Sequence, residues 1–158
     1  MEFVGGGWVQ NDEAVTDYQA IVDQMTEGHR FLLNLFGQRV HVTYQIDPFG
    51  ATDTYGMLSA LMGVDAHVMD RIPLPTQVQF EKHKKMQFVW KTSQTLGDRT
   101  MMMSHVMDQL YGSPIGFDFD AGGPLNPPTT PQNVDLRSAL LCTQILVRTS
   151  LSCLSCLL

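Results

Sequence analysis

Between residues 15 and 46 the spacing of the apolar residues changes from a helical to an extended period, and no other feature constrains the fold as much. Val15, Tyr18, Val22, Met25, His29, Leu32 and Phe36 recur at alternating spacings of three and four, which puts them on one helix face. Asn11 or Asp12 can cap this helix, and Gly37 can end it in a left-handed turn. Val40, Val42, Tyr44 and Ile46 then alternate with His41, Thr43 and Gln45, the pattern of a strand. His41 falls on the polar side and is expected in solvent.

The alternation continues down the chain. A helix is expected around 54–62, a strand around 66–71, a helical turn near Phe80 after the breaks at Pro73 and Pro75, and strands at 86–90 and 100–106. A short strand at 2–4 runs into the glycine triplet, and the glycines and prolines of 112–131 predict a long loop. Strands alternating with helices point to an α/β fold built on parallel crossovers.

The 158 residues suffice for one domain with a core, and 44 % hydrophobic with 16 % charged residues describes a globular chain. The net charge of −6 and the lack of a basic run argue against a nucleic-acid partner. Lys82-His83-Lys84-Lys85 reads as a solvated face or helix end. Met1 to Trp8 has neither a basic start nor an apolar core, so it is not read as a signal peptide.

The segment LLCTQILVRTSLSCLSCLL (140–158) holds all three cysteines and one charge, Arg148. Cys153 and Cys156 lack the second pair that a zinc site needs, and Ser155 stands where a prenylation box requires cysteine. Arg148 and the Ser/Thr cluster argue against a membrane span of about 20 apolar residues. The break in composition favours a tail that does not continue the domain naturally, through altered splicing or a frame change. The expected division is therefore 1–140 and a divergent Leu/Ser/Cys-rich tail, 141–158.

Asp47-Pro48-Phe49-Gly50 read alone is a turn. Its position adds more. A residue before proline is pushed toward extended geometry, and Pro48 has no N–H for a ladder, so Asp47 finishes the strand. The carboxyl ends of strands are where α/β folds place catalytic groups.

FVGGGWVQNDEA (3–14), DQMTEGHRFL (23–32), QIDPFG (45–50) and MQFVW (86–90) together resemble glycoside hydrolase family 38, the retaining α-mannosidases, and its lysosomal and epididymis-type branch in particular. The resemblance covers residues 2 to about 140 and implies a partial β/α barrel-like domain, α/β with mainly parallel strands and crossover helices. It makes Asp47 the catalytic nucleophile and a zinc ligand. It places Phe49, Arg71 and Tyr111 at the sugar, and Trp8 and Asp12 as residues that shape the site, with core packing and helix capping as their ordinary roles. The substrates implied are mannose-containing glycans, the cofactor zinc, and the compartment lysosomal or secretory. Such an enzyme uses a nucleophile and an acid/base about 5 Å apart and passes through a covalent glycosyl-enzyme.

The chain also departs from the family pattern. It contains no His-x-Asp pair, which supplies zinc ligands in the family, and the family's acid/base aspartate lies beyond the point where the tail begins. His67-x-x-Asp70 and His105-x-x-Asp108 have the wrong spacing and read as structural. Asp118 and Asp120 read as loop caps. Ala51-Thr52 stands where many members carry His-Ser, a subgroup difference. The expectation is a chain inactive alone. The alternative is a non-catalytic relative that binds mannose or associates with the remainder of a full-length enzyme.

Overall fold

A computed structural model describes residues 2–107 and Tyr111; the expected loop at 112–131, Asp108, Asp118, Asp120 and the boundary at 140 lie outside the described residues. Helix α1 spans Tyr18–Phe36, strand β1 Val42–Gln45, helix α2 Asp53–Leu61, strand β2 Ala66–Met69, helix α3 Leu74–Lys82, strand β3 Gln87–Lys91 and strand β4 Met101–Val106. A 3-10 turn, Gly97–Thr100, precedes β4. The strands form one sheet in the order β1-β2-β4-β3. β1 and β4 flank β2 in parallel, and β3 is an antiparallel edge strand against β4. The architecture is α/β with mainly parallel strands.

α1 starts later than its apolar pattern predicts. Asp12 Oδ1 accepts the N–H groups of Ala14 and Val15 in a separate turn, and Asp17 becomes the cap through Gln19 N–H. Val15 is therefore outside the helix and 86 % exposed. Gly37 ends α1 at φ 65°, as expected, with its N–H on Leu33 O.

The buried face of α1 is Ile21, Met25 and Gly28, rotated from the predicted stripe; Tyr18 and Phe36 are exposed. Gly28 explains the rotation. A Cβ there would overlap Gly6 O and Gly7 C and lie 2.5 Å from Trp8 N, so its absence lets the glycine triplet run against the helix. This segment is not a strand. It is held by Gly5 N–H on Val42 O (2.8 Å), Trp8 N–H on Gln24 O (3.0 Å) and His29 Nε2 at 3.1 Å from Gly5 O.

The side chains buried on β1 are Thr43 and Gln45, whereas Val42 and Tyr44 are half-exposed. Polar groups are tolerated there because they meet one another. Thr43 Oγ1 lies 2.9 Å from His67 Nδ1, and the His67 ring packs between Tyr55 (5.7 Å) and Trp90 (6.0 Å). Burial pushes His67 down to about 4, so it is neutral, and raises the Tyr55 phenol to about 12, with Glu13 adding to the effect. His41 is exposed beside Asp65, as expected for the polar side.

Two apolar clusters complete the core. Ile21, Met25 and Tyr55 join α1 to α2. Met69, Met86 and Val106 lie at the carboxyl end of the sheet, with Phe80 of α3 against them. Lys82 to Lys85 are exposed at the end of α3, as read from sequence.

Candidate active site

The site is assembled by strand register. β1 and β2 pair as Gln45↔Met69, and Asp70 N–H on Gln45 O (3.0 Å) extends the ladder. Two residues beyond each paired position are Asp47 and Arg71, so parallel pairing alone sets them side by side past the carboxyl ends of the strands. Arg71 Nε lies 2.5 Å from Asp47 Oδ1. The Tyr111 hydroxyl donates to the same oxygen, and Arg71 Nη2 donates to the Tyr111 hydroxyl. The guanidinium is 5.0 Å from the Tyr111 ring centre and 5.4 Å from that of Phe49, within cation–π range.

The electrostatics are consistent with these bonds. The Tyr111 phenol is held above its ordinary value, chiefly because it donates to Asp47, so it remains a donor. Arg71 is raised chiefly by its bond to Tyr111, which outweighs the opposing effect of desolvation, and the Asp47 charge adds a smaller rise. Tyr111 has φ 56°, uncommon for a residue with a side chain, and Asp70 Oδ2 accepts its N–H at 2.8 Å. Backbone held in that region is the kind of local strain that concentrates at functional sites.

Asp47 thus has one oxygen held by two donors. Two donors on one oxygen fix the rotation of the carboxylate.

Residues 1–152 match the family described as glycosyl hydrolases family 38, N-terminal domain. The chain belongs to this family. The match runs into the stretch whose composition differs from the rest. Among its relatives, alpha-mannosidase C of Dictyostelium discoideum is 37 % identical over 88 % of this chain, which spans 15 % of that protein. Lysosomal alpha-mannosidase of Cavia porcellus is 42 % identical over 76 % of this chain and 12 % of its own length. Epididymis-specific alpha-mannosidase of Homo sapiens is 41 % identical over 75 % of the chain and 12 % of its own length. The chain therefore spans well under a fifth of these family 38 relatives.

The structure brings together Asp47, Phe49, Arg71 and Tyr111. Trp8 and Asp12 lie elsewhere: Trp8 packs edge-on against Phe31 (5.6 Å), and Asp12 caps its own turn. A cleft of about 280 Å³, lined by Trp8, Asn11, Tyr44 and Gln45 among others, opens beside β1, but Asp47 does not line it. Among the described residues no three His, Cys, Asp or Glu side chains converge as a metal site. Asp47 alone does not fit zinc as a complete donor set. No described helix is long and apolar enough to cross a membrane.

Two buried carboxylates lie beside the candidate site, one read as structural from sequence and one not singled out there. Asp70, read as structural, is 3 % exposed and holds the Tyr111 backbone. Glu13, inside the Asp12-Glu13-Ala14 motif, is 6 % exposed and accepts Thr52 N–H at 2.8 Å. Adjacency to Arg71 and to Asp12 was the only signal for either.

Proposed function

We propose that this chain is the nucleophile-bearing segment of a retaining α-mannosidase catalytic domain acting on terminal α-mannosides of glycans. The observation that carries the reading is the convergence of Arg71 and Tyr111 on a single oxygen of Asp47 at the end of β1. The names of the relatives support the substrate class and a lysosomal or secreted setting.

In the reaction, the Asp47 carboxylate attacks the anomeric carbon, the bond to the leaving oxygen breaks, and a mannosyl ester forms on Asp47. Arg71 pairs with the carboxylate, and Tyr111 fixes its rotation. The departing oxygen takes a proton from a general acid, which later activates the water that cleaves the ester. That acid and the ligands of zinc other than Asp47 are proposed to come from the remainder of the enzyme, with which this segment associates. Zinc, when bound in the intact domain, would supply electrostatic stabilisation at the sugar hydroxyls.

The isolated 158-residue chain is expected to show no turnover, because loss of general acid help alone costs about 10²–10⁴-fold. An aryl α-mannoside assay with added zinc checks this, comparing the chain with Asp47→Asn. Hydrolysis above background that Asp47→Asn abolishes would show that the chain is a complete enzyme.

A further inference from the structure

We infer that Glu13 is a positioning residue for Asp47: its carboxylate closes the loop that carries the nucleophile by holding Thr52, while the neighbouring backbone of Asn11 holds the other end. This deepens the proposed role of Asp47 and rests on it.

The loop leaves β1 after Gln45 and re-enters regular structure at Thr52, the residue that caps α2 and accepts Thr54 N–H. Gln45 Nε2 donates to Asn11 O at 3.2 Å, and Thr52 N–H donates to Glu13 Oε2 at 2.8 Å. Residues 11 and 13 thus grip both ends of a loop far away in sequence. The grip is anchored in turn to α1, where Gln24 Nε2 donates to Asn11 Oδ1 at 2.9 Å and Gln24 Oε1 accepts Val9 N–H at 3.1 Å. Ala14 Cβ would be in ordinary contact with a Cβ at Gly50, so the same turn also lies beside the loop's tip.

A buried carboxylate is a costly way to satisfy one amide, since neutral acceptors do so without desolvating a charge. Position at the N-terminus of α2 offsets part of that cost. Burial raises Glu13 to about 7, the Thr52 bond opposes that, and Asp12 adds to it. The ionisable groups facing it are Asp12 on its own turn and Tyr55 on α2.

The test is nuclear magnetic resonance of the full chain in four forms: native, Glu13→Ala, Glu13→Gln and, as a reference, Asp47→Asn. Glu13→Ala is expected to speed exchange of the Thr52 amide about tenfold, the loss of one hydrogen bond. It should also move the Arg71 Nε–H resonance toward its position in Asp47→Asn. Glu13→Gln, which keeps the acceptor, should restore both. A folded Glu13→Ala chain with both signals unchanged overturns the inference.

If Glu13→Ala does not fold, the pH dependence of the Thr52 amide decides. It should move with a midpoint near 7 in the native chain and stay still in Glu13→Gln. A Thr52 amide that does not move in the native chain overturns the inference. These signals are independent of mannoside chemistry, so a failed mannosidase reading leaves them in place.

Discussion

Replacing Gly28 with alanine is expected to destabilise the chain by about 2 kcal/mol or more. Alanine brings about 1 kcal/mol of helix propensity over glycine, so on local grounds the substitution should stabilise α1. The packing reverses that sign. The new methyl group would meet Gly6 O, Gly7 C and Trp8 N, all of them backbone, so no rotamer change relieves the overlap. Overpacking of this kind costs about 1–3 kcal/mol, and more where backbone has to move. The movement would pull Gly5 from Val42 and Trp8 from Gln24. Gly37→Ala is the control. It has nothing within 4 Å of its added methyl group and pays only for φ 65°, about 1 kcal/mol. Urea midpoints of both variants against the native chain check the ordering.

The second large effect lies in pH, where two buried groups oppose each other. Glu13 rises from 4.5 to about 7 on folding, so the folded state binds a proton that the unfolded state has released. Its contribution to stability is full below about 4.5 and is lost as pH rises through 7. His67 falls from 6.5 to about 4, so between those values the unfolded state holds the proton. Its contribution is present above 6.5 and is lost as pH falls toward 4. From 4.5 to 6.5 the two slopes have opposite signs and similar size, about 1.4 kcal/mol per pH unit each. The native chain is therefore expected to be nearly flat over that window as far as these groups decide. Glu13→Gln should lose about 2–3 kcal/mol on acidification across it, and His67→Asn should lose a similar amount as pH rises. Urea unfolding at pH 4.5, 5.5 and 6.5 reads the slopes, and equal slopes in all three proteins would contradict the assignment. A flat response suits an acidic compartment, in line with the proposed lysosomal setting.

The order of helices and strands was legible because each element carries its own period. α2 from Asp53 and β4 to Val106 lie within a residue or two of their sequence expectation. The faces were less legible. Gly28 has no side chain for a hydrophobic pattern to register, yet the backbone of residues 6–8 runs directly against it. Thr43 and Gln45 are polar and were set on the solvent side of β1. They are buried because His67 and Asn11 lie within hydrogen-bonding distance, and such pairing is a tertiary fact. The antiparallel direction of β3 is likewise decided by packing against β4, not by any local signal.

The candidate site divides the same way. Asp47 was placed by Pro48 and the strand before it, and Arg71 by the end of the next strand. Their contact then follows from the register Gln45↔Met69. Glu13 and Asp70 act on backbone amides at Thr52 and Tyr111, 39 and 41 residues away in sequence. No spacing rule within a single element reaches that far. Trp8 and Asp12 belong to a motif that carries the family resemblance, but in the fold they serve the α1 side and not the Asp47 cluster.

The most direct test of the central claim is a chimera in which residues 2–111 of this chain replace the matching stretch of a full-length lysosomal-type α-mannosidase. The account predicts hydrolysis of an aryl α-mannoside by the chimera, and a loss of about 10⁴-fold or more in kcat on Asp47→Asn with the protein still folded. A folded chimera whose activity survives Asp47→Asn would show that Asp47 is not the nucleophile.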